Sequence, residues 1–273
     1  SRANPGAPTR TSIEDLLGTD RYPKNGDGQE RTGPVALSAD GMRALQPWTD
    51  TASFGTIAMS YAGGNFLSGG DYPPAGYSIR GVAVGKAGAR YLGFSISDQG
   101  IHAADITDYT TDTGPSQQSA IYTEVIRNVG VSSPAGITAV EAAGRSYVVV
   151  WDPNNVYVTD VSNPGPPSSG LTASFTSRSY TATQLGLPSG SSLYFGVAAA
   201  RHPLTGDLYL LAEGGSLSGS NVASKAVTLN RVDPSTGNLT RIGAYVPPTG
   251  ENYAQGQIVL IPLDTEVVAL FLE

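Results

Sequence analysis

The sequence predicts an all-β chain of repeated units, and three observations carry that expectation. Short apolar runs bounded by Gly and Asp recur along the chain, the runs are evenly spaced, and the composition suits strands and turns. Charged residues make up only 14% of the 273 residues, well below the usual quarter. Gly, Pro, Ser and Thr fill the difference, and these serve turns and strands better than helix interiors. Apolar residues at 40% are enough for a packed core, and single all-β domains of this length are common.

The first element of the repeat is a short apolar strand: Pro34-Val35-Ala36-Leu37, Gly81-Val82-Ala83-Val84, Gly136-Ile137-Thr138-Ala139-Val140, Gly196-Val197-Ala198-Ala199 and Gly256-Gln257-Ile258-Val259-Leu260. A tight turn follows each, at Ala39-Asp40-Gly41, Ala87-Gly88, Ala143-Gly144, Leu204-Thr205-Gly206-Asp207 and Leu263-Asp264-Thr265. Each turn leads into a second apolar run, so every unit opens with a hairpin signal. A third strand is expected in four units and a fourth in three. The units open at residues 34, 81, 136, 196 and 256, a period that indicates a repeat architecture. Three to four strands per period favour propeller blades, whereas two would favour a sandwich. The expected fold is therefore a single five-bladed β-propeller with four-stranded antiparallel blades, with a β-sandwich or another all-β repeat as the alternative. Residues 34–273 form the propeller, and residues 1–33 form a polar, turn-rich arm. The last unit holds two strands, so the arm is expected to complete that blade or to dock a partner. Closure by strands from both termini removes exposed sheet edges.

Particular residues extend this reading to a family. Gly81-Val82-Ala83-Val84 with Arg90-Tyr91-Leu92, the unit end Asp160-Val161-Ser162-Asn163-Pro164, the opening Pro34–Arg43, and the turn Asp233-Pro234-Ser235-Thr236-Gly237-Asn238-Leu239-Thr240 together resemble the blades of YVTN/LVIVD-type propeller repeats. The resemblance covers roughly residues 34–273. It implies architecture and is nearly silent on function, because propellers host enzymes, lectins and scaffolds alike.

The charge pattern excludes several partners. Net charge is −7, and no run of Lys or Arg exists, which argues against nucleic acid and anionic membranes. No apolar stretch is long enough to insert in a membrane as a helix. Without Cys there is no disulfide framework, thiolate metal site or cysteine nucleophile. The chain opens on Ser1 without Met, which fits a removed signal peptide and a removed initiator Met equally.

Catalytic motifs are not found. A glycosidase needs two facing carboxylates, but the inner strands carry Val, Ala, Ile, Leu, Gly, Thr and Gln. Asp40, Glu141, Asp207 and Asp264 lie in or beside turns, where Asp accepts backbone N–H groups. His102 and Asp105 are three apart and fall on opposite faces of a regular strand. Gly81–Lys86 lacks the length and hydroxyl of a phosphate loop. Asn25-Gly26-Asp27-Gly28 does not extend to an EF-hand pattern. No catalytic residue, metal site or cofactor is expected.

What remains is a binding surface. Tyr numbers fourteen and combines an apolar ring with a hydroxyl, which suits sugar and protein contact. The ligand-binding candidates are Trp48, Trp151, His202, Tyr72, Tyr77 and Tyr253. Trp48 and Trp151 end second strands at apparently equivalent places, as blade packing or as an aromatic platform. His202 is expected at a channel mouth. Long connections at Gly63–Gly76, Thr110–Ser119, Asn163–Leu171 and Gly214–Ser224 are natural recognition loops. The expected function is a non-enzymatic recognition or assembly module that binds a carbohydrate or protein partner, extracellular or on a virion surface. Oligomer or assembly contacts would run through residues 1–33. The rival is a propeller-type hydrolase or lyase, drawing on acids such as Asp98, Asp105, Glu141 and Asp207.

Overall fold

The computed structural model describes residues 31–32, 35–49, 54–62, 65–72, 79–97, 100–107, 121–122, 134–163, 177–218, 221–246 and 258–271. Every regular element among them is a strand, and all pairing is antiparallel. Five sheets follow one another along the chain. Sheet one holds β1 (Arg31–Thr32), β2 (Ala36–Leu37), β3 (Arg43–Thr49), β4 (Phe54–Ala62) and β5 (Asn65–Tyr72). Sheet two holds β6 (Ile79–Ala87), β7 (Arg90–Ser97), β8 (Gly100–Asp105) and β9 (Ile121–Tyr122). Sheet three holds β10 (Gly136–Ala142), β11 (Arg145–Trp151), β12 (Asn155–Asp160) and β13 (Ser177–Thr181). Sheet four holds β14 (Ser192–Arg201), β15 (Leu208–Ser218), β16 (Asn221–Val232) and β17 (Leu239–Tyr245). Sheet five holds β18 (Ile258–Pro262) and β19 (Val267–Phe271).

Sheets two to four are simple meanders, each strand paired to the next. The first strands pack in series, β6 on β10, β10 on β14 and β14 on β18, while β2 and β3 pack on β6. This is the arrangement expected of propeller blades. Arg31 and Thr32, the last described residues of the arm, pair with Thr49 and Trp48 of sheet one. Residues 1–30 lie outside the described residues.

The stacking explains the sequence pattern. A sheet covered on one side alternates apolar with polar, but one covered on both sides is apolar throughout. In β11, Tyr147 and Val149 join the core shared with sheet four, while Val148 and Val150 join the core shared with sheet two. Leu208, Leu210 and Ala212 of β15 likewise face sheet three, and Leu211 faces Leu260 and Ile258 of sheet five. Each apolar cluster therefore sits between successive sheets. The outward faces of the two end sheets are the exception. Leu37 of sheet one and Val259, Ile261 and Leu270 of sheet five are exposed.

In two of the first strands the glycine near the start has a steric origin. Gly81 lies opposite Ile96, and Gly136 lies opposite Trp151. A Cβ on Gly136 would fall inside the Trp151 ring, and one on Gly81 would press on Ile96 and on Ile137 of the next sheet at 3.2 Å. The missing side chain is the space that the opposing large residue occupies.

Three expectations change. Gly214–Ser224 is not an irregular connection. The β15–β16 ladder runs on through Gly215–Lys225 and Ser216–Ser224 to Ser218–Asn221, past the last described rungs to β14, at Ser192–Gly215, and to β17, at Val227–Tyr245. Gly214 stands in that strand because Leu187 Cδ1 and the Ser192 carbonyl crowd the place of its Cβ, at 2.7 and 2.9 Å. Much of Gly63–Gly76 is likewise strand, since Asn65–Tyr72 pairs with β4. Finally, Trp48 and Trp151 are not register equivalents. Ala36 faces Leu45 in sheet one, and Thr138 faces Val149 in sheet three. Two residues on, Pro47 corresponds in backbone register to Trp151, so Trp48 stands one position further along its strand.

Gly136→Ala is expected to destabilise the protein by about 1–3 kcal/mol through overpacking against Trp151. Gly243→Ala, at a site with open space around it, is expected to leave stability unchanged or raise it by up to about 1 kcal/mol. Urea midpoints of the two variants test the contrast.

Candidate functional site

The strand directions give the stack two ends. One carries the turns from each first strand to its second. The other carries the ends of the second strands, including the tip of the β15–β16 hairpin. Trp48, Tyr72 and Trp151 all lie toward the hairpin end, since Thr49 pairs with Phe54 at the start of β4, Tyr72 pairs with Thr56, and Trp151 closes β11. Trp151 is half-buried and packs against the core between sheets three and four. His202 lies at the opposite, turn end. Its Nδ1 accepts the Thr205 N–H at 3.3 Å, its own N–H donates to the Asp207 carbonyl at 2.8 Å, and its ring lies 5.2 Å from that of Tyr209. The described candidates thus stand on strands and turns at two ends of the stack. Tyr77 and Tyr253 lie outside the described residues.

The acids singled out in the sequence are spread in the same way. Asp207 accepts from the Thr205 hydroxyl at 2.8 Å and sits 3.7 Å from Arg231. Asp264 is exposed in the β18–β19 turn. Glu141 is exposed in a shallow hollow of about 330 Å³ at the turn end, with Lys86, Arg145 and Arg201. Asp105 closes β8, and Asp98 lies outside the described residues. No group of three His, Cys, Asp or Glu among the described residues could hold a metal ion.

Asp40 does more than cap its turn. It accepts from the Ser38 hydroxyl at 2.8 Å and the Met42 N–H at 3.1 Å, and across the sheet boundary from Tyr91 Oη at 2.5 Å and Lys86 Nζ at 3.2 Å. Burial alone would raise the Asp40 carboxyl, but these donors, Tyr91 foremost, outweigh it and hold the group well below the usual carboxylate range. Arg43 returns the contact, donating to the carbonyls of Ile106 at 3.1 Å and Thr107 at 2.6 Å. Sheets one and two are thus latched by polar contacts at the turn end.

Two polar clusters escaped the sequence reading. The first is Glu213, fully buried, with Lys225 Nζ 2.5 Å from its Oε1. That contact is an ion pair out of hydrogen-bond alignment, and Oε2 has no partner. Glu213 faces Gly196, the place held by Ile96 and Trp151 in the two sheets before it. Burial raises its carboxyl pKa, and Lys225 offsets this only in part.

The second cluster lines a cleft of about 160 Å³ between sheets three and four, at the turn end. Arg145 binds Asp160 at 2.7 Å. Asp160 also accepts from the Ser162 hydroxyl at 2.5 Å and the Ser162 N–H at 3.0 Å. Burial pushes the Asp160 carboxyl up, but Ser162 and then Arg145 bring it below its ordinary value. Across the cleft, Asp233 takes the Ser235 hydroxyl and the N–H groups of Ser235 and Thr236 on one oxygen. These hold it far down the carboxylate range. Arg178 Nη2 donates to the Ser235 carbonyl at 3.0 Å, and Tyr180 Oη to the Gly237 carbonyl at 2.8 Å. Gly237, with φ of +74°, leaves room for the Arg178 guanidinium that any Cβ there would strike. Two polar atoms in the cleft wall, Tyr147 Oη and Arg178 Nη1, are buried without an aligned hydrogen-bond partner among the described residues. Burial, and then the Asp160 charge, raises the Tyr147 pKa, so the hydroxyl stays neutral.

No protein-family model and no curated protein matches the chain. Solved structures do resemble it. A protein from Lactobacillus plantarum shares 15% identity, with 87% of this chain and 63% of that chain covered and a TM-score of 0.49. The Cps50 (Swd1) β-propeller domain of Myceliophteria thermophila shares 15% identity over 87% of this chain and 62% of that one, with a TM-score of 0.39. The fructofuranosidase of Schwanniomyces occidentalis, solved with fructose, shares 9% identity over 87% and 50%, with a TM-score of 0.42. The chain thus spans less than two thirds of each of these structures. At such identities the likeness is one of chain trace and says nothing of ligand or activity.

Because the Asp40 carboxyl is depressed in the fold, the latch is at full strength above about pH 4, the ordinary carboxylate value, and weakens as pH falls. Asp40→Asn is expected to lower the melting temperature at neutral pH by about 2–4 °C and to flatten its acid dependence, as read by thermal scans from pH 7 to 3. Glu213 has the opposite sign. Its raised pKa makes the charged form the costly one, so the cost is present at neutral pH and relieved as pH falls. Lys225→Met is expected to destabilise by about 3 kcal/mol at pH 7, with partial recovery toward pH 5. The double change Glu213→Leu, Lys225→Met is expected to return within about 1 kcal/mol of the parent.

Proposed function

We propose that the protein is a non-enzymatic recognition or assembly module, a five-bladed β-propeller that engages a carbohydrate or protein partner through its hairpin end. The observation that carries this reading is the β15–β16 hairpin. Its last rungs, from Ser216–Ser224 to Ser218–Asn221, pair with each other and, among the described residues, with no further strand. Projecting segments on a rigid scaffold are where recognition concentrates. Trp48 and Tyr72, the aromatic candidates of sheet one, belong to strands that end on the same side. Support for a ring comes from the serial packing of first strands and from the apolar outward faces of sheets one and five, which a closed ring would cover. The YVTN/LVIVD-type identity of the blades, the completion of sheet five by the arm, and a place outside the cell or on a virion surface belong to the same proposal.

The intact chain is expected to bind a subset of glycans on an array or to co-elute with a purified partner chain, without turning over glycosides. Replacing Leu217–Val222 with an Asn-Gly turn is expected to weaken that binding about tenfold or more, with the melting temperature held within about 2 °C, since none of these residues belongs to the described core clusters. Turnover of p-nitrophenyl glycosides by the intact chain would replace this reading with the hydrolase one.

A further inference from the structure

We infer that the cleft between sheets three and four is a second binding site, at the end opposite the hairpin, and that it takes a single neutral, hydroxyl-rich sugar ring. The inference starts from unmet hydrogen bonds. Tyr147 is 5% exposed, yet its hydroxyl has no partner among the described residues. Arg178 uses Nη2 on the Ser235 carbonyl and lies beside Tyr180, and its Nη1 is buried with no aligned acceptor among the described residues. Both residues line the same cleft. Buried polar groups are nearly always satisfied, and exceptions cluster where a ligand or water belongs. Here the two lie on one wall and ask for complementary atoms: the guanidinium needs an acceptor, and the phenol can give or take a proton.

Charge selects among ligands. Arg145 and Arg178 face Asp160 and Asp233, so the cleft carries two cations and two anions. Both carboxylates are held ionised by their own Ser donors. An anionic ligand would meet Asp160 and Asp233, and a cationic one would meet the two arginines. A neutral polyol suits both, since each hydroxyl accepts from Arg and donates to Asp. The volume of about 160 Å³ is below the range of sites for larger ligands, which points to one ring. Tyr147 and Tyr180 add apolar ring surface beside the polar edge.

Titration calorimetry of the intact chain with galactose, glucose, mannose and N-acetylglucosamine, and with glucuronate as the charged control, tests this. At least one neutral sugar is expected to bind more tightly than glucuronate. Tyr147→Phe is expected to weaken that binding about tenfold with the melting temperature unchanged or higher, because the removed hydroxyl has no protein partner to lose. Arg178→Lys is expected to weaken it further. Preference for glucuronate, no binding by any sugar, or binding indifferent to Tyr147→Phe would overturn the inference. Sugar binding lost on trimming the hairpin but kept in Tyr147→Phe would overturn it while leaving the proposed function standing. The reverse pattern would keep this site and remove the role given to the hairpin.

Discussion

The close face-to-face stacking of sheets is the constraint on which the rest of this structure depends. A strand packed on both sides needs apolar groups on both sides, and two sheets can approach only where one of them yields volume. Gly136 under Trp151 shows how that is arranged. A small residue on the first strand admits a large one from the second, and the next sheet closes over the pair, as Ile137 does beside Gly81 and Ile96. Apolar contact supplies the bulk of the cohesion. Polar contacts then fix the angular setting of neighbours: Asp40 with Tyr91 and Lys86, Arg43 with the Ile106 and Thr107 carbonyls, and the Ser146 hydroxyl donating to the Lys86 carbonyl.

Glu213 marks where that scheme is broken. It occupies the place of Ile96 and Trp151 on the face turned toward sheet five, and it needs Lys225 from the neighbouring strand to be tolerated. A buried pair of this kind contributes little net stability compared with apolar residues of the same volume.

The sequence made the stack legible because the stack has a strong local signature. The openings at Gly81, Gly136 and Gly196, the turns at Asp40, Gly88, Gly144 and Gly206, and the turn opening at Asp233 all read as punctuation; the turns fall between strands and Gly136 opens β10, whereas Gly81 and Gly196 lie inside β6 and β14. Strands of small polar residues read as loops. Asn65–Tyr72 and Gly215–Ser224 have little side-chain bulk, and their backbone pairing is set by a partner strand that composition does not reveal. The cleft was illegible for another reason. Arg145, Tyr147, Asp160, Arg178 and Gly237 are far apart in the chain, and only the register of β11 to β13 and the seating of sheet four beside them unite these residues. Nor could pattern alone separate Trp48 from Trp151, because only the strand pairing places Trp48 three residues beyond Leu45 and Trp151 two beyond Val149.

The stack of meanders also bears on how the chain folds. Nearly every strand pairs with the one before it, and among the described residues the main contacts of each sheet are with its neighbours in sequence. Long-range loop closure, which slows most all-β proteins, is therefore small within each unit. A sheet can settle as soon as its own span has left the ribosome, using the previous one as a template, much as in solenoid repeats. Growth of this kind runs from the amino end toward sheet five, whose outward apolar face is the last surface to find a cover.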